Sequence, residues 1–401
     1  MLHLVPGHQG RPTEDPIFAL NREANARIAR GESVVNATIG AAMDDEGKLA
    51  VLPTAARAVH EVEGPAWAGY APISGSPAFL QAVIADLFAT EPLMREVAIA
   101  TATPGGTGAL RHALANFLEP GQSLLTTSFF WGPYQTLADE AGCKVETFTM
   151  FTAGGALDVE ALDAALGRQL ATQKRVLFFL NDPCHNPTGY SMSQPEWRAL
   201  TECLVRRSAE GPITLLVDTA YLAYSAGDPR AFLKELHPLL GKVMLLFAWS
   251  ASKTFTMYGL RVGAIVACIP DAKERATTEA AFSYSCRGTW SNCNAGGLLA
   301  VTRLLTDDKL KAAVDAERDA LKKTLFSRVN AFNQLAKPKG LRYPRYEGGF
   351  FVTVFRENAP EHAARMRERG VFVVPQKGAL RVALCSAKEA DVARLVDALA
   401  E

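Results

Sequence analysis

The chain has 401 residues, and lysine plus arginine and aspartate plus glutamate both total 42, so no excess of positive charge offers itself to nucleic acid or anionic lipid. Hydrophobic residues make up 48% and charged residues 21%, a balance that excludes disordered and fibrous classes. A chain of this length exceeds the size at which one hydrophobic core stops growing, which predicts one large and one smaller domain.

In chain order, the first sixteen residues hold Pro6, Gly7, Pro12, Glu14 and Asp15 and no apolar core segment, so no secretory signal is expected there. Ser76 before Pro77 reads as an N-cap followed by the first helical position. Seven short apolar runs of strand length then follow: 97–101, 123–126, 145–149, 175–180, 213–217, 243–248 and 264–268. Even the longest apolar stretches, such as Val243 to Trp249, fall far short of the ~20 residues of a membrane span. Segments with helical periodicity lie between most of the runs, at 110–118, 134–141 and 195–207, the last opened by a capping box of Ser193 and Glu196. This alternation predicts an α/β architecture, a mostly parallel seven-stranded sheet flanked by helices. Beyond Gly296 one long helical stretch is expected over 298–335. Strands at 350–355, 371–374 and 380–384 follow, with helices at 361–369 and 387–400, the latter capped by Ser386 and Glu389. The predicted division is a large domain over 51–300 and a smaller α+β domain from 1–50 and 301–401. The seven cysteines include no C-x-x-C pair and are odd in number, which points to reduced thiols in a cytoplasmic protein and to no metal site.

Five clusters follow strand ends, where α/β folds place ligands. Gly105-Gly106-Thr107-Gly108 opens a helix whose free N–H groups suit a phosphate, although the spacing is neither a P-loop nor a dinucleotide fingerprint. Trp131-Gly132 offers a flat face to an aromatic ring, although a lone tryptophan is far more often a core residue. Asn181-Asp182-Pro183-Cys184-His185-Asn186-Pro187-Thr188-Gly189 is a rigid turn, compatible with a cis peptide, that presents Asn186 to a cleft. Asp218 ends a strand and suits a proton held on a pyridine nitrogen, as it also suits a helix N-cap; Tyr221 lies three residues on. Ser250-Ala251-Ser252-Lys253, with Arg261 eight residues later, combines a lysine that desolvation can turn into a neutral amine with hydroxyls and a fixed charge for a phosphate. Alone, that motif also fits a surface lysine.

Together these pieces resemble the fold-type-I, class I aminotransferases that use pyridoxal 5′-phosphate, above all their aspartate and aromatic amino-acid branch. The resemblance runs nearly end to end, from Asp15-Pro16-Ile17-Phe18 and Asn36-Ala37-Thr38-Ile39-Gly40 through the clusters above to Gly348-Gly349-Phe350 and Arg381. It implies that Lys253 is the Schiff-base lysine and proton shuttle, that Asp218 pairs with the pyridinium nitrogen, and that Tyr221 and Asn186 bond the phenolic oxygen. Trp131 would stack on the ring. Gly106, Thr107, Ser250, Ser252 and Arg261 would hold the phosphate, joined by Tyr70 from a second subunit. Arg381 would bind the substrate α-carboxylate beside Gly40 and Asn186, and Arg287, crossing the dimer interface, a distal carboxylate. Two positions depart from the family: Gly105 stands where serine is frequent, and Trp290 where tyrosine is usual.

The expected reaction is a ping-pong transamination between an L-amino acid, aspartate or aromatic, and a 2-oxo acid such as 2-oxoglutarate. A homodimer with shared sites is expected with it, and no nucleic-acid or membrane partner. A lyase or decarboxylase on the same scaffold is the nearest rival. A ligand-sensing module would need a DNA-binding head for which the N-terminal segment is too short and Pro-rich. A nicotinamide dehydrogenase would need a G-x-G-x-x-G after an early strand, which is missing.

Overall fold

The structure is a computed structural model describing residues 3–401, and a seven-stranded sheet is its centre. After a two-residue strand β1 (Val35–Asn36), the strands are β2 (Ala98–Pro104), β3 (Ser123–Thr127), β4 (Lys144–Phe148), β5 (Val176–Asn181), β6 (Ile213–Asp218), β7 (Met244–Ser250) and β8 (Val262–Cys268). Their order in the large sheet is β2-β8-β7-β6-β5-β3-β4. Each of the seven apolar runs occupies one of these strands. Every pairing is parallel except those of β8, which runs against both β2 and β7.

The near-continuous apolar character of β5 and β6 follows from burial on both faces, every residue of each being buried. Successive side chains alternate between two cores. Phe178, Leu215 and Phe247 pack on one face with Phe79 and Trp197. Leu177, Phe179, Leu216 and Leu246 face the other way, against Leu110, Leu114, Tyr134 and Phe282.

A second, antiparallel sheet is formed by β9 (Phe351–Phe355), β11 (Val374–Gln376) and β12 (Ala379–Ala383), with β12 in the middle. Its Val352, Val354, Leu380 and Val382 pack on Val329, Phe332, Leu395 and Val396 of helices Asp308–Ala336 and Val392–Ala400. Between them in sequence lies β10 (Val371–Phe372), which pairs in parallel with β1, Val35 opposite Val371, and so joins the N-terminal segment to the C-terminal part. Arg328, with a fully buried side chain, ties the same two segments by donating to the carbonyls of Met43 and Cys385, each at 2.9 Å. Among the described residues no helix is long and apolar enough to cross a membrane, and all seven cysteines are free and buried.

Three local expectations need correction. The single helix at 298–335 is two, Ala295–Thr306 and Asp308–Ala336, because Asp307 is extended and its carboxylate accepts from the Lys309 and Leu310 amides at 2.9 and 3.0 Å. An aspartate that satisfies fresh N–H groups ends one helix and starts another, whatever the periodicity on either side. The run 371–374 is likewise divided, between β10 and β11, which belong to different sheets. Ser386 does not cap the last helix: its hydroxyl donates to the carbonyls of Asn36 and Ala383, and the helix begins at Val392. At the other capping box the expectation is met, with the Ser193 amide donating to Glu196 Oε2 at 2.8 Å.

Candidate active site

Strands β2, β3, β5, β6 and β7 point the same way, so their carboxyl ends open on one edge of the sheet. There lies a cavity of about 380 Å³, lined by Gly40, Gly106, Thr107, Trp131, Asn186, Asp218, Tyr221, Ser250, Ser252, Lys253, Arg261 and Arg381. Those are all the singled-out site residues except Tyr70 and Arg287. Asp15, Ile17, Phe18 and Ile39 from the N-terminal segment and Phe351 from β9 complete the wall.

Lys253 sits on a single helical turn, Ala251–Thr254, directly after β7. Its Nζ donates to the Gly40 carbonyl at 2.9 Å and lies 4.5 Å from the ring centre of Tyr258 and 5.8 Å from those of Tyr221 and Phe350. Burial pulls its pKa down to about 8, so near neutrality a usable fraction is free amine. Facing it is Asp218, whose pKa burial pushes up to about 6 against the opposing pull of its hydrogen bonds and of Lys253. Asp218 accepts from the Ala220 amide at Oδ1, 3.1 Å, and from the Tyr134 hydroxyl at Oδ2, 3.2 Å. The carboxylate therefore stays mostly ionised at neutral pH although it is buried.

The register of the sheet sets the next pair, since Asn181 on β5 is opposite Asp218 on β6. The Asn181 side chain donates to the Asp218 carbonyl at 2.7 Å and accepts from the Asn186 amide at 2.6 Å. It thereby fixes the loop in which both Asp182-Pro183 and Asn186-Pro187 are cis. Asn186 then donates to the Tyr221 hydroxyl at 3.4 Å. The reading of the sequence passed over Asn181 as part of a rigid turn; its place beside Asp218 is visible only once the strands are paired. It also passed over Tyr258, whose hydroxyl accepts from the Ala42 amide at 3.0 Å and so holds the segment carrying Gly40 over Lys253.

At the other end of the cavity, the helix Gly105–Phe117 presents its N-terminus beside Ser250, Ser252 and Arg261. Arg261 donates to the Ser252 hydroxyl at 3.3 Å and to the Tyr258 carbonyl at 2.8 Å. Gly105 has φ +68°, and a Cβ there would come within 2.5 Å of Arg261 Nη2. A glycine in place of the frequent serine suits that backbone conformation, which L side chains rarely adopt. Trp290 stacks on His112 of the same helix at 4.5 Å and 15°.

Arg381 on β12 is 4% exposed, donates to the Thr38 carbonyl at 2.5 Å and lies 4.8 Å from the Phe351 ring centre. Among the described residues its Nε–H is buried without a partner, as is the Asn186 Oδ1. Buried polar groups are normally paired, so both orphans fit ligand atoms that complete them: a carboxylate at the Arg381 N–H and a hydrogen-bond donor such as a hydroxyl at the Asn186 oxygen. The helix N-terminus, two hydroxyls and a guanidinium suit a phosphate, the Asp218 carboxylate a protonated ring nitrogen, and Lys253 an aldehyde carbon. That donor set fits pyridoxal 5′-phosphate. Tyr70, 94% exposed, and Arg287, whose Nη1 donates to the Ser291 hydroxyl at 2.5 Å, stand away from the cavity of their own chain.

Residues 32–399 match the family model described as aminotransferase class I and II. The chain is 31% identical to the aromatic-amino-acid aminotransferase of Pseudomonas aeruginosa over 79% of its own length and 78% of that protein. It is also 31% identical to the aspartate aminotransferase of Salmonella typhi, over 90% and 91%. In structure it is similar to an aminotransferase from Anaerococcus prevotii, with a TM-score of 0.94, 31% identity and coverage of 100% and 99% of the two chains.

Proposed function

We propose, since this chain belongs to the class I and II aminotransferases and is a pyridoxal-5′-phosphate enzyme, that it moves the amino group of L-aspartate or an aromatic L-amino acid to a 2-oxo acid such as 2-oxoglutarate. The observation that carries this reading is Lys253, an amine of pKa about 8 in the same cavity as Asp218, Tyr221, Asn186 and Arg381. When bound, the cofactor supplies the electron sink that makes the substrate Cα–H acidic.

The chain's own residues do the rest. Ser250, Ser252, Arg261 and the amides of Gly106 and Thr107 hold the phosphate, and Trp131 covers the ring. Asp218 keeps a proton on the ring nitrogen, while Tyr221 and Asn186 bond the phenolic oxygen. Arg381 takes the α-carboxylate as a bidentate pair beside Gly40, which turns the substrate Cα–H towards Lys253. The neutral Lys253 amine would accept that proton and, as the ammonium, hold it in the cavity for the second proton transfer of the exchange. Its hydrogen bond to the Gly40 carbonyl holds the amine in the cavity until then. Ile17, Phe18, Ile39 and Trp131 line the wall and suit an apolar side chain, whereas a dicarboxylate needs Arg287, which is offered from a second subunit together with Tyr70. The proposal therefore includes a cytoplasmic homodimer. It also includes a large cofactor-binding domain over 51–300 and a smaller domain over 1–50 and 301–401.

The test incubates the purified protein with pyridoxal phosphate, 2-oxoglutarate and either L-aspartate or L-phenylalanine, and identifies products. Glutamate and the matching 2-oxo acid are expected. Release of ammonia and pyruvate without any acceptor would replace this reading with a lyase.

A further inference from the structure

Behind Asp218, away from the cavity, is a residue that no reading of the motifs singled out. Tyr134 is 1% exposed, is absent from the cavity wall, and reaches Asp218 Oδ2 with its hydroxyl at 3.2 Å. Its ring is locked by three others: Phe130 stacks at 6.2 Å and 13°, Trp131 meets it edge-on at 5.9 Å and 87°, and Phe179 of β5 does so at 5.3 Å and 77°. Its amide donates to the Trp131 carbonyl at 2.9 Å, so one turn of chain sets both the residue facing the cavity and the one behind Asp218. A ring held in this way points its hydroxyl along one direction.

We infer that Tyr134 is a positioning residue that keeps Asp218 a weak enough base for the cofactor's ring nitrogen, and not Asp218, to hold the shared proton. The inference rests on the proposed pairing of Asp218 with that nitrogen. A carboxylate has about four lone-pair sites. Here the protein fills one on each oxygen, the Ala220 amide on Oδ1 and the Tyr134 hydroxyl on Oδ2, and both donors are neutral. Burial raises the pKa of the Tyr134 phenol well above its ordinary value, so the hydroxyl remains a donor and never competes as a second anion. Of the charged groups on other elements, Lys253 across the cavity acts on Asp218, opposing the effect of burial. Removing the hydroxyl leaves Asp218 Oδ2 without its protein donor. A buried carboxylate that loses a donor becomes more basic, and the proton moves from the ring nitrogen towards it. The ring is then a poorer electron sink, although every cavity-lining residue is still in place.

The experiment uses the holoenzyme reconstituted with pyridoxal phosphate labelled with 15N in the ring, and compares wild type with Tyr134→Phe. The ring-nitrogen chemical shift reports its protonation directly. In wild type it should lie at the protonated end, and in Tyr134→Phe it should move towards the unprotonated value, with kcat down by about tenfold and KM for the amino acid nearly unchanged. Site-specific 3-fluorotyrosine at position 134, a stronger donor of almost the same shape, should hold the proton on the nitrogen at least as firmly as tyrosine does. It serves if Tyr134→Phe does not fold. An unmoved nitrogen shift in a folded Tyr134→Phe enzyme would overturn the inference and leave Tyr134 a packing residue, as would a fluorotyrosine enzyme that shifts towards the unprotonated value. Asp218→Ala distinguishes the two levels: if it leaves the nitrogen shift where it is in wild type, the pairing of Asp218 with the ring nitrogen fails, and the role of Tyr134 falls with it.

Discussion

Replacing Lys253 by methionine should make the cofactor-free chain more stable at neutral pH, while removing its turnover. Burial lowers the Lys253 pKa from 10.5 to about 8. A drop of that size corresponds to about 3 kcal/mol against the charged form. The side chain opens partly onto the cavity, and Asp218 loses its positive neighbour in the variant, so a net gain of about 2 kcal/mol is expected. The folded pKa lies below the unfolded one, so this contribution to wild-type stability is present above about pH 10.5 and lost as pH falls through about 8. The difference between variant and wild type should therefore be full at about pH 7 and shrink towards about pH 10. Urea unfolding of both cofactor-free proteins across that range measures it. A difference that does not change with pH, or a variant less stable than wild type at about pH 7, would mean that the ammonium is solvated, and the argument for a ready supply of free amine would be lost with it.

Two further expectations concern other links of the chain. Gly189→Ala should destabilise by about 2–4 kcal/mol and weaken cofactor binding, because φ is +73° and the new Cβ would lie 2.1 Å from the Phe351 carbonyl and 2.5 Å from the Tyr346 ring; denaturant unfolding and cofactor titration read the two effects, and a neutral result would show that the turn carrying Asn186 can relax. Arg287→Ala should lower kcat/KM for L-aspartate by at least about tenfold and leave L-phenylalanine nearly unchanged; equal losses for both, or none, would remove Arg287 from the substrate site.

The site was legible to the extent that its chemistry is carried by residue types at strand ends. Lys253 after an apolar run, Asp218 at the end of another and the Gly105–Gly108 turn each point to a ligand, since parallel strands open their carboxyl ends on a common edge. Asn181, Tyr134 and Tyr258 escaped because their importance is relational. An asparagine inside a turn and two tyrosines among apolar neighbours have no distinguishing pattern until the sheet brings Asn181 opposite Asp218, or the loop after β3 brings Tyr134 behind it. The helix break at Asp307 escaped for another reason. Apolar spacing continues on both sides, and the capping bonds that interrupt it are local geometry that periodicity does not register.

By itself, then, the sequence determined the alternation of strands and helices, the seven strands of the large sheet and the residues with reactive groups, because these depend on local composition and on the period of apolar residues. The tertiary structure alone decided which groups meet. Strand order sets Asn181 against Asp218, and the pairing of β1 with β10 carries the N-terminal segment to the C-terminal part. The folded chain brings the Gly40 carbonyl onto Lys253 and buries Lys253 and Asp218 enough to move their pKa values towards each other. Those are long-range contacts and desolvation, and neither is written in any stretch of neighbouring residues.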